Sequence, residues 1–66
     1  MDNARMVQDG TFSIVQNVQT KHIEAKNFDE VVYEETPDHF FSFEELIATL
    51  MRERTKYFMR EGSNNE

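Results

Sequence analysis

The side chains of this 66-residue chain that could take part in chemistry are two histidines, each close to a carboxylate. His22 lies two residues before Glu24, and Asp38 directly precedes His39. An imidazole beside a carboxylate can serve as an acid–base pair or as part of a metal site. Neither pair has further ligands at a metal-binding spacing, cysteine is absent, and no glycine-rich loop follows a strand to hold a phosphate. We therefore expect a non-enzymatic protein with no catalytic residues, no cofactor and no metal site.

Acidic residues are concentrated in one part of the chain. The formal net charge is −6, and neither Lys nor Arg occurs between Lys26 and Arg52. Duplex DNA carries one negative charge per about 1.7 Å of axis, so rigidly held carboxylates can compete with DNA for a basic protein. Ordinary solubility is the competing interpretation, because this net charge is usual for a small domain. The candidate partner-binding residues are the carboxylates of that interval: Asp29, Glu30, Glu34, Glu35, Asp38, Glu44 and Glu45.

A basic pattern follows in the C-terminal third of the chain. Arg52, Lys56 and Arg60 recur every four residues and predict a basic ridge on one face of a helix. Such a ridge could contact nucleic acid, but cations near the end of a helix also favour its dipole and pair with neighbouring glutamates. Because the whole chain has the sign of charge that repels phosphates, we expect no direct binding to nucleic acid.

The longest predicted element is a helix over residues 43–61, within the segment SFEELIATLMRERTKYFMREG from Ser42 to Gly62. Ser42 and Glu45 have the spacing of a capping box, and Phe41 and Leu46 that of a hydrophobic staple. Gly62 is expected to end the helix in the left-handed conformation. At 100° per residue the helix has one apolar stripe. Its members, all but Met51 assigned to the core or a dimer seam, are Phe43, Leu46, Ile47, Leu50, Met51, Tyr57 and Phe58.

Arg54 falls near the middle of that stripe, and two interpretations stay open. Its aliphatic stem can cover apolar surface while the guanidinium reaches water at the rim. Alternatively, the guanidinium crosses to a carboxylate of the sheet or of a second subunit.

The residues before the helix predict short antiparallel strands within 5–35. Asp9–Gly10 is typical of a two-residue hairpin turn, which would join a strand over 5–8 to one over 11–18. Residues 19–26 fit either a second strand or a continuation of the first past a bend, with Lys26–Asn27 as the better turn candidate. A further strand over 29–35 ends before Pro37. This order predicts one α+β domain over residues 1–66: an antiparallel meander of three to four strands, one long C-terminal helix and a polar tail at 62–66.

The length of the chain limits its core, because a domain of this size buries only about 60% of its unfolded surface. Without cysteine for disulfides, oligomerisation is one of the few supports left, and we expect a homodimer. The sequence has no run approaching the roughly 18 apolar residues of a membrane span, and its N-terminus has no signal-peptide pattern. We expect a cytoplasmic protein that does not enter a membrane.

The segment FDEVVYEETPDHFFSFEE, from Phe28 to Glu45, carries a resemblance to a known class of proteins. Together with the size, charge and element order of the chain, it resembles the small acidic host-takeover proteins of bacteriophages, and among them the DNA-mimic inhibitors of the bacterial nucleoid protein HU. The resemblance implies a homodimer in the host cytoplasm whose carboxylates occupy the DNA-binding surface of a basic host protein. Arg52, Lys56 and Arg60 depart from a uniformly anionic surface, which places the outer face of the helix outside the mimicking surface.

An inhibitor or adaptor that binds by shape is the main alternative. It would contact a host enzyme such as RNA polymerase, or a sigma factor, through exposed aromatics such as Phe40 and Phe41, with charge only at the rim. A regulator that touches nucleic acid through the basic ridge is a third possibility. Salt separates the first two, because charge-driven binding weakens steeply as ionic strength rises.

Overall fold

A computed structural model of the chain describes residues 4–63, with side chains described for residues 4–60. Four strands precede one helix: β1 (Ala4–Asp9), β2 (Phe12–Asn17), β3 (Ile23–Asn27), β4 (Glu30–Glu35) and α1 (Phe43–Ser63). The strands form one antiparallel sheet in the order β1-β2-β3-β4, and α1 packs against it. The predicted α+β meander with a C-terminal helix is therefore confirmed.

The first hairpin turn lies one residue later than the sequence predicts. Asp9 still pairs in β1, opposite Phe12, so the two-residue loop is Gly10–Thr11. Gly10 has a φ of 65°, whereas Asp9 stays outside the left-handed region. A positive φ at the first loop position alone is the type II′ arrangement, which favours glycine at that position.

Side-chain hydrogen bonds shape the β2–β3 connection, which contains neither glycine nor proline. Asn17 Oδ1 accepts hydrogen bonds from the backbone N–H groups of Gln19 (2.7 Å) and Thr20 (2.9 Å), as in an Asx turn. Lys21 then takes a left-handed φ of 67°. The chain reverses there, so residues 23–27 form a separate strand antiparallel to β2 rather than a continuation of it.

The β3–β4 turn is another difference from the sequence expectation. The predicted turn at Lys26–Asn27 is wrong, because Asn27 remains in β3 and pairs with Glu30. The turn is Phe28–Asp29, and the left-handed residue is Phe28, with a φ of 57°. An aromatic residue in that region is strained, and the Phe28 side chain is 74% exposed, so burial of the ring does not compensate.

The core lies between α1 and one face of the sheet. Phe12, Ile14 and Gln16 alternate along β2 towards the helix and are buried, while the residues between them are half-buried. Six buried apolar side chains form the centre: Phe12, Ile14, Ile23, Ala25, Leu46 and Leu50. Half-buried side chains pack around them: Val7, Val32, Tyr33, Phe41 and Tyr57.

The other face of the sheet, which we call the open face, is not covered by any element of residues 4–63. Met6, Val15, Glu24 and Glu34 are cross-strand neighbours there, one from each strand. Two carboxylates therefore lie opposite each other on adjacent strands, an arrangement that is unfavourable unless a cation or a hydrogen-bond donor is near.

The start of α1 is as the sequence predicts, but its end is not. Ser42 Oγ accepts a hydrogen bond from the Glu45 N–H at 3.1 Å, and Glu45 Oε1 accepts one from the Ser42 N–H at 2.8 Å. This reciprocal pair is the predicted capping box. The helix continues to Ser63, so Gly62 lies inside it and does not terminate it. The rest of the predicted polar tail, residues 64–66, lies outside the described residues.

The buried face of α1 is rotated relative to the predicted apolar stripe. Thr49 and Glu53 are buried beside Leu46 and Leu50, at 7% and 6% exposure. Arg52 Nε and Lys56 Nζ lie 3.0 and 3.6 Å from Glu53 Oε2 and compensate its charge. The periodicity of apolar residues excludes Glu53 from the predicted core, because it considers only the polarity of each residue. It takes no account of ion pairs that compensate a buried charge. The stripe residues that this rotation leaves exposed are Phe43, Ile47, Met51 and Phe58.

Arg54 is exposed, and its guanidinium lies 5.6 Å from the centre of the Phe58 ring. Among the described side chains it makes no ion pair with a carboxylate of the sheet, so that part of the prediction is wrong. The interpretation that Arg54 reaches a second subunit stays open.

Candidate partner-binding surface

The seven carboxylates predicted to bind a partner come from consecutive parts of the chain: the β3–β4 turn, β4, the following loop and the first turn of α1. All seven side chains are exposed. We call this set the acidic surface, and its members are Asp29, Glu30, Glu34, Glu35, Asp38, Glu44 and Glu45.

The acidic surface follows an edge of the sheet from Asp29 to Glu35, because β4 is the last strand in the sheet order. Glu34 lies opposite Glu24 on the open face, whereas Glu35 lies opposite the buried Ile23 on the helix side. Glu30, at the start of β4, is separated from Glu34 by about 13 Å at the usual rise of a strand. The carboxylates of β4 therefore form a ribbon accessible from both sides of this edge, whereas Glu44 and Glu45 lie apart from it in the first turn of α1. The seven carboxylates are not gathered on one flat face.

Three of the seven carboxylates have partners within the described part of the chain. Glu34 Oε1 lies 3.0 Å from His22 Nε2, Asp38 Oδ1 lies 3.2 Å from His39 Nδ1, and Glu45 caps the helix. The remaining four make no ion pair or hydrogen bond with a described residue and stay available to a partner: Asp29, Glu30, Glu35 and Glu44.

The neighbours of Asp38 alter its proton affinity. The hydrogen bond with His39 is the largest cause, and it lowers the pKa of Asp38 below the usual 3.8. Backbone hydrogen bonding and the positive charge of a protonated His39 act in the same direction. The Asp38 charge therefore persists to lower pH than that of an isolated aspartate.

His22, Glu24 and Glu34 meet on the open face, with one ligand atom of each within 4.8 Å of the others. The sequence places His22 near Glu24, but only the β3–β4 register brings Glu34 to them. One imidazole nitrogen and two carboxylate oxygens are a ligand set that a divalent cation such as Zn²⁺ can use.

Protein groups already satisfy this His22–Glu24–Glu34 cluster. His22 Nδ1 lies 2.8 Å from Thr36 Oγ1, its Nε2 contacts Glu34, and Lys26 Nζ lies 3.9 Å from Glu24 Oε1. These contacts account for the positions of the side chains without a metal ion. A shallow concavity of about 340 Å³ borders the cluster, and its lining residues are Ala4, Val15, Asn17, Thr20, His22 and Glu24.

The predicted basic ridge is partly engaged inside the molecule. Arg52 and Lys56 both pair with Glu53, and the Arg52 guanidinium lies 5.4 Å from the centre of the Tyr33 ring of β4. Arg60 is exposed. Arg52 therefore places a positive charge on the helix side of β4. Lys21 places another at the loop, where its Nζ lies 3.4 Å from the Asp38 carbonyl oxygen.

The aromatic residues named for the shape-based alternative differ in accessibility. Phe41 is half-buried, packs against the core and stacks on the His39 ring with centroids 5.1 Å apart. Phe40 is 46% exposed, with Lys21 Nζ 5.5 Å from its ring centre. Phe28 is more exposed than either. The local sequence does not predict this exposure, because the turn that contains Phe28 depends on the pairing of β3 with β4.

Comparison with models of protein families, with curated proteins and with solved structures finds no match to this chain. Within the residues that the structure describes, no helix is both long and apolar enough to cross a membrane.

Proposed function

We propose that this protein is a non-enzymatic inhibitor that binds a basic DNA-binding protein through the acidic surface and blocks its contact with DNA. HU, which the resemblance to phage DNA mimics suggests, is the first partner to test. The observation that supports the proposal is that every carboxylate between Lys26 and Arg52 is exposed, in an interval with neither Lys nor Arg.

The free carboxylates are the part of the surface best suited to a cationic partner. Asp29, Glu30 and Glu35 are exposed at the two ends of β4 and have no described ion-pair partner. Binding does not require them to break an internal contact first. Their fields act over roughly 10 Å at moderate salt, so they can also speed the encounter with a basic protein.

The charge density of this surface is lower than that of DNA. The three glutamates of β4 span about 17 Å, a length over which duplex DNA carries about ten phosphates. The protein would therefore imitate the sign and direction of phosphate charge over a short stretch. Effective competition requires the carboxylates of the loop and of the first helical turn to add to those of β4.

A competition assay tests the proposal directly. Purified HU is bound to a fluorescein-labelled DNA duplex, the protein is titrated in, and DNA release is followed by fluorescence anisotropy at about 50 and 300 mM salt. We expect release at the lower salt concentration and a large loss of inhibition at the higher one. The variant Asp29→Asn/Glu30→Gln/Glu35→Gln should require about tenfold more protein for the same release.

A matched control changes the net charge equally but spares the acidic surface. Asp2→Asn/Asp9→Asn/Glu66→Gln removes three carboxylates that lie outside the interval between Lys26 and Arg52. It should inhibit as the wild type does. Failure of the wild type to release DNA at low salt would overturn the proposal for HU, and equal losses in both variants would overturn the specific role of the acidic surface.

Binding by exposed aromatic residues is the second candidate. Phe28 and Phe40 are 74% and 46% exposed, and in the chain they flank β4. If they anchor a partner, Phe28→Ala/Phe40→Ala should abolish inhibition, while the charge variant and added salt should change it little. That pattern would favour the shape-based inhibitor over charge mimicry.

A further inference from the structure

Helix α1 has a second apolar face that the sheet does not cover. Phe43, Ile47, Met51 and Phe58 are 51%, 43%, 38% and 54% exposed. At 3.6 residues per turn they lie within an arc of about 80°. We call these four residues the exposed stripe. A contiguous apolar patch on a small domain marks an interaction site more often than scattered apolar residues do.

Contacts at both ends hold the exposed stripe in a defined position beside the core. The guanidinium of Arg5 in β1 lies 4.5 Å from the centre of the Phe43 ring, which places that end of the stripe on the β1 side of the helix. The Phe58 ring packs edge-on against the buried Phe12, with centroids 5.7 Å apart. The patch is therefore preformed, and little ordering is needed before it binds.

The monomer is short of buried apolar surface. Its fully buried apolar centre has six residues, whereas nine large apolar side chains remain exposed among the described residues. Domains of this length without disulfides commonly gain stability by oligomerisation. A second copy presents an identical apolar stripe, so a two-fold pair covers both stripes without any other protein.

Charge along α1 decides how two copies can pair. The first turn carries Glu44 and Glu45, while Arg54 lies within the exposed stripe near the other end. Parallel helices would bring like charges together. Antiparallel helices place the acidic start of one copy beside the arginine of the other, which is the favourable arrangement.

We propose that this protein is a two-fold homodimer in which the α1 helices of two copies pack antiparallel through their exposed stripes. With Phe43 of one copy opposite Phe58 of the other, Ile47 lies opposite Arg54 and Met51 lies beside the two-fold axis. Arg54 is then within one helical turn of Glu44 in the other copy. The guanidinium can pair with that carboxylate while it remains over the Phe58 ring.

The dimer does not depend on the proposed function. Its interface uses Arg54 and one carboxylate of the acidic surface, Glu44, whereas the charge variant of the competition assay changes Asp29, Glu30 and Glu35, which lie outside the interface. A monomeric wild type that still released DNA would overturn the dimer alone, and a dimer that released no DNA would overturn the inhibitor alone.

Mass measurement on the full chain tests the dimer. Size-exclusion chromatography with light scattering should give about twice the chain mass of 7.9 kDa at micromolar concentrations. Arg54→Glu should raise the dimer dissociation constant by about tenfold or more, because it sets two carboxylates against each other. Glu44→Arg/Arg54→Glu exchanges the two charges and should restore the dimer, an outcome that a merely unfolded variant cannot give.

Met59→Glu is the matched control, because Met59 is 68% exposed on α1 but lies outside the stripe. It should remain dimeric, whereas Met51→Glu should be monomeric with an unchanged far-ultraviolet circular dichroism spectrum. A monomeric wild type would overturn the proposal. So would a Met51→Glu dimer, or a charge-exchanged variant no better than Arg54→Glu alone.

Discussion

Gln16 links the loop before α1 to the sheet. Its side chain is fully buried, and Nε2 donates hydrogen bonds to the carbonyls of Lys21 (3.0 Å) and His39 (3.1 Å). Its Oε1 accepts one from the Phe41 N–H at 2.9 Å. One glutamine thus satisfies three backbone groups that would otherwise be unpaired, and it holds the chain that carries Asp38.

Replacing Gln16 by leucine should destabilise the protein strongly. The Gln16→Leu variant keeps an apolar body in the core but leaves three partly buried backbone groups without their side-chain partner. We expect the free energy of unfolding to fall by about 2–4 kcal/mol. Urea unfolding followed by circular dichroism measures this change. Gln19→Leu, at an exposed turn position, is the control and should stay within about 0.5 kcal/mol of wild type.

The lowered pKa of Asp38 gives the stability of the protein a pH dependence of known sign. The folded-state pKa of Asp38 lies below its usual 3.8, so ionised Asp38 contributes stability above that value. The contribution is lost as the pH falls through the lower, folded-state pKa.

Removal of the His39 imidazole should raise the pKa of Asp38 towards 3.8, because the hydrogen bond from His39 is the largest cause of the lowered pKa. A carboxyl-carbon NMR titration of His39→Gln measures this shift. His22→Gln removes the other histidine and should leave the Asp38 titration unchanged. An Asp38 titration identical in wild type and His39→Gln would contradict the assignment of the cause.

Among the secondary-structure elements, the helix start could be predicted from the sequence and the turns could not. The capping box needs only Ser42 and Glu45, three residues apart. The two hairpin turns depend on which residues pair across strands, and a shift of one residue moves each turn. Phe28 occupies a left-handed position because the pairing of Asn27 with Glu30 requires it, although its own preference opposes that conformation.

Loss of the helix cap should have a measurable but moderate effect. Ser42→Ala removes the acceptor for the Glu45 N–H and should lower the free energy of unfolding by about 1 kcal/mol. Thermal or urea unfolding of the purified variant measures it. Thr55→Ala, at an exposed position inside α1, is the control and should cause no loss, since alanine has the higher helix propensity. Equal stability of Ser42→Ala and wild type would show that the cap contributes nothing.

At the scale of the whole molecule, charge and apolar surface are separated along the fold. Five of the seven carboxylates of the acidic surface lie in the β3–β4 turn, β4 and the loop, while the exposed stripe lies on α1 towards β1. One protein can therefore engage a second copy and a basic partner at once, because Glu44 is the only carboxylate of the acidic surface in the proposed dimer contact. This separation is a property of the topology, since β1 and β4 are opposite edges of the sheet.

Thermal stability should depend on protein concentration. If unfolding is coupled to dissociation of the dimer, a tenfold increase in concentration should raise the Tm by a few degrees. Differential scanning calorimetry across the micromolar range measures the shift. Met51→Glu should show a Tm that is independent of concentration, and a constant Tm in the wild type would contradict a coupled dimer.

The sequence determined that strands precede one long helix, together with the alternation of β2, the helix cap and the acidic interval between Lys26 and Arg52. Each of these depends on residues near one another in the chain. The number of strands was left open. The tertiary structure decided which face of α1 is buried, that Glu34 meets His22, which three backbone groups Gln16 satisfies, and which carboxylates remain free. These depend on strand register and on the direction in which the helix crosses the sheet. Both are set by contacts between residues distant in the chain, which local periodicity does not encode.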